Sequence, residues 1–141
     1  MDCSATLTGR PRVRRPGGLH VHITSSEDAP ALSRGDGLVS RILLSERDVP
    51  DTDLTITRVE VEPGAEQVIH SHDPEQVYVI LAGQGRMTVG GDTERVEAGD
   101  LVHVPSKTDH GIENTGEEPL EYVSAATPAF PMAEVDEFYE E

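Results

Sequence analysis

Hydrophobic and polar residues alternate with a period of two along most of this chain. Because successive side chains of an extended backbone lie on opposite faces, the alternation predicts β-strands with one buried face. Turn-forming pairs such as Pro63-Gly64 and Gly90-Gly91 separate the alternating runs. The predicted strands cover residues 19–23, 38–44, 54–61, 68–72, 77–81, 86–89, 101–104 and 120–124. Short strands spaced about ten residues apart are typical of a β-sandwich or β-barrel.

The length and the apolar composition are those of a single domain. A chain of 141 residues is long enough to bury one hydrophobic core. It has two Phe, three Tyr and no Trp, so Val, Ile and Leu must fill most of that core. We predict a flexible Arg-rich leader over residues 1–17, a barrel over 18–130, and an acidic tail over 131–141 that forms at most a short helix.

No part of the sequence predicts insertion into a membrane or secretion. There is no run of about eighteen apolar residues, the length that a membrane-spanning helix needs. The arginines at residues 10–15 are not followed by an apolar segment, so they do not form a secretory signal. The single cysteine, Cys3, cannot form an internal disulfide. We therefore expect a cytoplasmic protein.

The charge balance is strongly acidic, with 27 acidic and 11 basic residues and a formal net charge of −16. Such a field repels phosphates, so nucleic acid is not an expected partner. The arginines near the start of the chain indicate a leader or a strand that crosses to a partner subunit. Dense acidic residues with a single lysine, Lys107, resemble the surfaces of halophile proteins. An acidic protein from an ordinary bacterium has the same composition, and both interpretations remain open.

Two stretches place histidines and amides at regular spacing from glycines. They read Gly64-x5-His70-x-His72-x3-Gln76-x6-Gly83 and Gly99-x5-Pro105-x4-His110-x3-Asn114. In a strand, His70 and His72 point to one face about 7 Å apart. Gln76 opens the next apolar run and can face the pair from a neighbouring strand, and His110 would complete the set. This pattern predicts a metal site.

The two stretches resemble the paired motifs of the cupin superfamily. Gln76 stands where the family motif has glutamate, and Lys107 stands where it prefers glycine. The resemblance is to the small single-domain members with one conserved barrel. It implies an all-β, double-stranded β-helix (jelly-roll) barrel with a metal bound at its mouth by His70, His72, Gln76 and His110. It also implies a homodimer, and we expect residues 18–24 and the preceding arginines at the contact between subunits.

Other residues offer alternatives to this ligand set. His20 and His22 have the same spacing as His70 and His72 but no glycines around them, so we interpret them as part of an N-terminal strand. His103 is interpreted as a packing or rim residue. Glu75 could replace Gln76 if the strand slipped by one residue, but the slip would also invert the faces of its neighbours.

Three imidazoles with one oxygen favour one divalent transition metal over Mg or Ca. The candidates are Zn, Ni, Fe, Mn, Co and Cu, and the sequence does not choose among them.

The resemblance leaves the reaction open. One hypothesis is an enzyme of the cyclase, isomerase or dioxygenase type, in which the metal polarises an oxygen of a small molecule inside the barrel. Tyr78 should share the inward face of Gln76, and we predict it as a general acid or a hydrogen-bond donor to substrate, although a buried core tyrosine has the same pattern. The alternative is a non-catalytic module that binds a small molecule with the metal as anchor. A transcription factor is disfavoured, because no helix-turn-helix segment is present.

Overall fold

The computed structural model describes residues 21–34 and 37–131. The predicted leader, His20 and all but the first residue of the predicted acidic tail lie outside this part of the chain. Within it are ten strands and no helix. They are β1 (Ala31–Arg34), β2 (Leu38–Leu44), β3 (Thr55–Val61), β4 (Glu66–His70), β5 (Glu75–Ala82), β6 (Gln84–Val89), β7 (Asp92–Glu97), β8 (Leu101–Val104), β9 (His110–Asn114) and β10 (Leu120–Thr127). No segment of the described residues is a helix long and apolar enough to span a membrane.

The strands form two antiparallel sheets. Six strands pair in the order β1-β2-β3-β10-β5-β8, and four pair in the order β4-β9-β6-β7. Strands distant in sequence are neighbours in both sheets, since β10 lies between β3 and β5 while β9 lies between β4 and β6. The chain thus passes repeatedly from one sheet to the other. This is a jelly-roll architecture, and the all-β prediction is confirmed.

The core lies between the two sheets and is mostly aliphatic. Its fully buried members include Val61, Ile80 and Leu120. Strand β5 alternates strictly, and its buried residues run from Gln76 through Tyr78 to Ile80. The barrel interior therefore changes along this strand from a polar end to an apolar one. Burying one large aliphatic side chain stabilises the fold by about 1.5–3 kcal/mol.

The structure differs from the predicted strands in several places. Residues 21–23 of the predicted strand 19–23 are not in a strand, and neither are residues 24 and 25. The His22 ring nevertheless lies 3.1 Å from the carbonyl oxygen of Leu43 on β2. Strand β4 ends at His70, so His72 lies in the following connection. Strand β7 was not predicted, because Val96 is the one buried residue in this mostly polar edge strand. An edge strand with one buried residue carries no period-two signal.

A β-bulge in β4 has a direct effect on the interior. The pairing with β9 shifts between Gln67, which is opposite Ile112, and His70, which is opposite His110. The two residues between them, Val68 and Ile69, are both exposed, at 64% and 57%. A bulge adds one residue to a strand, so side chains three positions apart can share a face. As a result both Gln67 and His70 belong to the inner face.

Candidate metal centre

Three imidazoles meet at the polar end of the barrel. The ligand nitrogens of His70, His72 and His110 all lie within 4.8 Å of one another. His70 at the end of β4 pairs directly with His110 at the start of β9. The connection after β4 holds His72, whose carbonyl oxygen accepts a hydrogen bond from the backbone N–H of Lys107 at 2.8 Å. The three histidines predicted as metal ligands are therefore neighbours.

Each ring is oriented by a backbone carbonyl. Nδ1 of His70 lies 2.9 Å from the oxygen of Val68, Nδ1 of His72 lies 3.1 Å from that of Pro74, and Nδ1 of His110 lies 2.9 Å from that of Thr108. A carbonyl oxygen only accepts hydrogen bonds, so in the neutral ring the proton is on Nδ1. Each Nε2 then carries a lone pair. Metal-binding histidines in proteins are oriented in this way.

Gln76 lies in the same cluster. Its side chain is buried, and its Oε1 lies 3.0 Å from Nε2 of His72. With the tautomer described above, these two atoms face each other with lone pairs, an arrangement that a cation between them would stabilise. Glu75 is instead exposed on the opposite face of β5, and its Oε2 lies 2.6 Å from Nε2 of His103. The slipped register, with Glu75 inward, is not the one that the structure has.

The buried Nε2 of His110 is further evidence that the cluster fits a metal. It is the one fully buried side-chain nitrogen or oxygen in the described chain without a hydrogen-bond partner. Such an atom is costly unless something binds it. Burial lowers the pKa of the His110 imidazole from its usual 6.5, and the neighbouring His70 and His72 act in the same direction. The neutral form that a metal needs is thus favoured. Together, His70, His72, His110 and Gln76 could hold a transition-metal ion.

Two tyrosines and a glutamine lie inward of the histidines. Tyr78 and Tyr122 are fully buried and stack with ring centroids 4.6 Å apart. The Tyr122 hydroxyl donates to Oε1 of Gln67 at 2.5 Å, and that of Tyr78 lies 3.5 Å from the same oxygen. The Tyr78 ring meets the His110 ring edge to face at 6.0 Å. Burial raises the pKa of Tyr78, so its hydroxyl stays protonated and can donate. Its catalytic role remains a prediction.

The segment after β10 adds an aromatic wall. The backbone N–H of Phe130 donates to Oγ1 of the buried Thr55 at 3.0 Å. Its ring packs edge to face against His72, with centroids 5.3 Å apart. Sequence reasoning did not identify Phe130 or Gln67, because Phe130 follows the last predicted strand and strict alternation from His70 directs Gln67 outward.

The remaining residues singled out in the sequence lie elsewhere. His103 faces outward on β8 in its pair with Glu75. Asn114 is buried, and its Nδ2 donates to the carbonyl oxygens of Val61 and Glu118 while its Oδ1 accepts from the N–H of Gly116. Its three hydrogen bonds make it a structural residue that fixes the end of β9.

Comparison with known proteins agrees with this geometry. Residues 57–126 match the cupin domain family. The chain is 31% identical over 113 residues to an oxalate-binding protein from Thermotoga maritima, covering 76% of this chain and 93% of that one. It is 27% identical to a dimethylsulfoniopropionate lyase from Ruegeria pomeroyi, covering 79% and 78% of the two chains.

A solved structure of oxalate decarboxylase from Bacillus subtilis, a protein with Mn(II) centres, superposes with a TM-score of 0.73. The match has 22% identity and covers 83% of this chain but 32% of the decarboxylase, so it shows a shared fold. The family match and the near-complete coverage of a relative of similar size agree with the two sheets and the histidine cluster. The chain therefore belongs to the cupin family.

Proposed function

We propose that the protein binds one divalent transition metal through His70, His72, His110 and Gln76, and that this centre binds a small carboxylic acid inside the barrel. The observation that carries the proposal is that one ring nitrogen from each of three histidines meets at one place, while the Nδ1 atom of every ring is held by a backbone carbonyl. The rings need no reorientation to present their lone pairs. Four neutral ligands of the imidazole and amide type favour a transition metal over Mg or Ca.

The charge of the ligand set supports an anionic partner. The cluster contains three imidazoles and no carboxylate, and Gln76 supplies an amide where a glutamate would supply a negative charge. A divalent ion there keeps its full positive charge in a partly buried position, where electrostatic attraction is stronger than in water. A carboxylate is the simplest small group that neutralises it. The oxalate-binding relative and the dimethylsulfoniopropionate lyase both support an acid as ligand.

The chain offers groups for catalysis as well as for binding. A bound metal would act as a Lewis acid toward an oxygen of the ligand. Phe130 excludes water from one side of His72, and the protonated Tyr78 hydroxyl can donate to a developing negative charge. These features support an enzyme that polarises a substrate oxygen. A binding module with the metal as anchor is the alternative, and the oxalate-binding relative favours it.

The test begins with metal content and binding. Protein purified without chelator, and apoprotein reconstituted with Mn, Fe, Co, Ni, Cu or Zn, are analysed for metal and titrated calorimetrically with oxalate. We expect about one metal per chain and oxalate binding that depends on it. His72→Ala should lose the metal and stay folded, because the sheets provide the stability, whereas the matched His103→Ala should keep both properties. Stoichiometric metal in the His72→Ala protein would contradict the ligand assignment.

Catalysis is tested on the same samples. Release of carbon dioxide from oxalate and of dimethyl sulfide from dimethylsulfoniopropionate distinguishes an enzyme from a binding module. Metal-dependent turnover that falls by at least about tenfold in Tyr78→Phe would support the donor role of the hydroxyl. Binding of oxalate without any turnover would instead support the binding module.

A further inference from the structure

A polar layer separates the metal centre from the apolar core. It consists of Gln67, Tyr78 and Tyr122, and we call it the Gln67 layer. Along β5 the inward side chains step from Gln76 in the centre to Tyr78 in this layer and then to Ile80 in the core. Polar groups inside a barrel are costly unless they are hydrogen-bonded, and small-molecule sites place a few such groups in otherwise apolar walls.

The hydrogen bonds within the layer fix the orientation of the Gln67 amide. Both tyrosine hydroxyls approach Oε1 of Gln67, at 2.5 Å from Tyr122 and 3.5 Å from Tyr78. With its oxygen turned to the tyrosines, the amide directs its Nε2 hydrogens away from them. The 3.5 Å separation is long for a hydroxyl bond, so Tyr78 can donate to a closer acceptor.

The bulge in β4 places Gln67 on the same face of the strand as His70. This is the inner face, and His70 follows Gln67 by three residues. Gln67 is half-buried, whereas both tyrosines are fully buried, so Gln67 is the most accessible member of the layer. Gly111 lies opposite this point on β9, and a Cβ there would come within 2.9 Å of the Gln67 carbonyl oxygen. The close approach of β4 and β9 thus holds the Gln67 backbone in place.

We infer that the Gln67 layer binds the second oxygen group of a short acid whose first carboxylate lies at the metal centre. The inference rests on the proposed function and narrows it to short dicarboxylates. Nε2 of Gln67 and the hydroxyl of Tyr78 donate to the distal carboxylate, and Gln67 determines specificity. A monocarboxylate leaves both donors without that acceptor, and buried donors without a partner are the basis of strong discrimination.

The test compares variants of Gln67 in Mn-loaded protein by calorimetric titration with oxalate, malonate and acetate. Wild type should bind one of the dicarboxylates about 10- to 100-fold more tightly than acetate, as expected for a hydrogen bond to a charged group. Gln67→Leu and Gln67→Glu should both reduce this ratio to within about threefold of unity, with unchanged metal content. Gln84→Leu, on β6 and hydrogen-bonded to Arg95, is the matched control and should keep the wild-type ratio.

Gln67→Glu separates recognition from a structural role. A glutamate still offers an oxygen to both tyrosine hydroxyls, but it lacks the N–H donors and repels a second carboxylate. If the layer only supported the fold, this variant would keep the wild-type preference. That result, or a wild type that binds acetate as tightly as both dicarboxylates, would overturn the inference and leave the proposed function intact. Metal-loaded wild type that binds none of the three acids would overturn both.

Discussion

Lys107 has a backbone conformation that side chains with a Cβ seldom adopt. Its φ is 60°, in the left-handed region, and its N–H donates to the carbonyl oxygen of His72. The turn between β8 and β9 therefore supports a histidine of the metal centre while it carries backbone strain. A left-handed conformation costs a non-glycine residue about 1–2 kcal/mol. This explains why the second cupin motif prefers glycine at this position. Lysine is tolerated here without loss of the turn.

We predict that Lys107→Gly stabilises the protein. Relief of strain outweighs the added flexibility of glycine in the unfolded chain, so we expect a gain of about 1 kcal/mol in the free energy of unfolding. A thermal melt should show an increase of about 4 °C.

Asp51 provides the matched control, because it is the other described non-glycine residue with positive φ, at 68°. Aspartate tolerates this region better than lysine does, so Asp51→Gly should gain less. An equal or larger gain at Asp51 would show that strain at Lys107 is not the cause.

Among the elements, the segment that follows β10 has the clearest effect on the centre. Phe130 is held by the Thr55 hydroxyl and covers one side of His72. An apolar wall next to a metal limits access of water and of competing ligands. Its contribution should therefore appear in the rate of metal exchange more than in the equilibrium.

We predict that Phe130→Ala accelerates removal of bound metal by a chelator by at least about fivefold, with full occupancy retained when metal is in excess. The measurement is stopped-flow transfer of metal to a chromogenic chelator. Phe130→Leu keeps most of the apolar bulk and should remain close to wild type. Equal rates in the alanine variant and wild type would argue against a covering role.

The elements also show how far the sequence could be interpreted. Strand β5 was predictable, because every second residue is buried and apolar or part of the centre. The histidine cluster was predictable because two motifs converge on one place. The polar edge strand β7 and the bulge in β4 were not, since an edge strand has little to bury and a bulge reverses the faces of the residues before it. Gln67 was missed because the bulge reverses the face that strict alternation predicts for it.

At the scale of the whole molecule, both sheets carry polar pairs and exposed aliphatic residues. On the four-stranded sheet, Arg86 pairs with Glu113 at 3.8 Å, and the exposed Val68 and Ile69 lie in the bulge of β4. The six-stranded sheet exposes Val79, Leu81 and Leu101, and Val79 is paired directly with Leu101. Contiguous apolar surface on a soluble protein commonly marks an interaction site.

We predict that the surface formed by Val79, Leu81 and Leu101 packs against a second copy of the chain in a homodimer. His22 lies beside Leu43 of β2 in this same sheet. The contact expected for residues 18–24 stays a prediction, and residues 18–20 are outside the described chain. Leu101→Lys should raise the dimer dissociation constant by at least about tenfold, because it buries a charge. Leu54→Lys, at another exposed leucine, should have little effect. A wild-type mass near 15.3 kDa by light scattering at high concentration would contradict the dimer.

Net charge is the second property of the whole molecule. With a charge of −16, carboxylates on neighbouring strands repel one another when they are not screened. The Debye length falls from about 30 Å at 0.01 M salt to about 3 Å at 1 M. The melting temperature should therefore rise with KCl or NaCl between about 0.05 and 3 M. A flat or falling series would remove the halophile hypothesis and leave the acidity as surface composition.

The orientation of the three imidazoles has a consequence for how the site can change during evolution. The atoms that hold Nδ1 are main-chain oxygens of Val68, Pro74 and Thr108, which every amino acid at those positions would supply. Substitutions in these supporting residues leave the orienting oxygens in place as long as the backbone keeps its course. Mutations can then alter Gln76, Phe130 and the Gln67 layer while the orientation of the three histidine rings, here called the imidazole frame, persists. One frame can in this way acquire new ligand preferences through single substitutions.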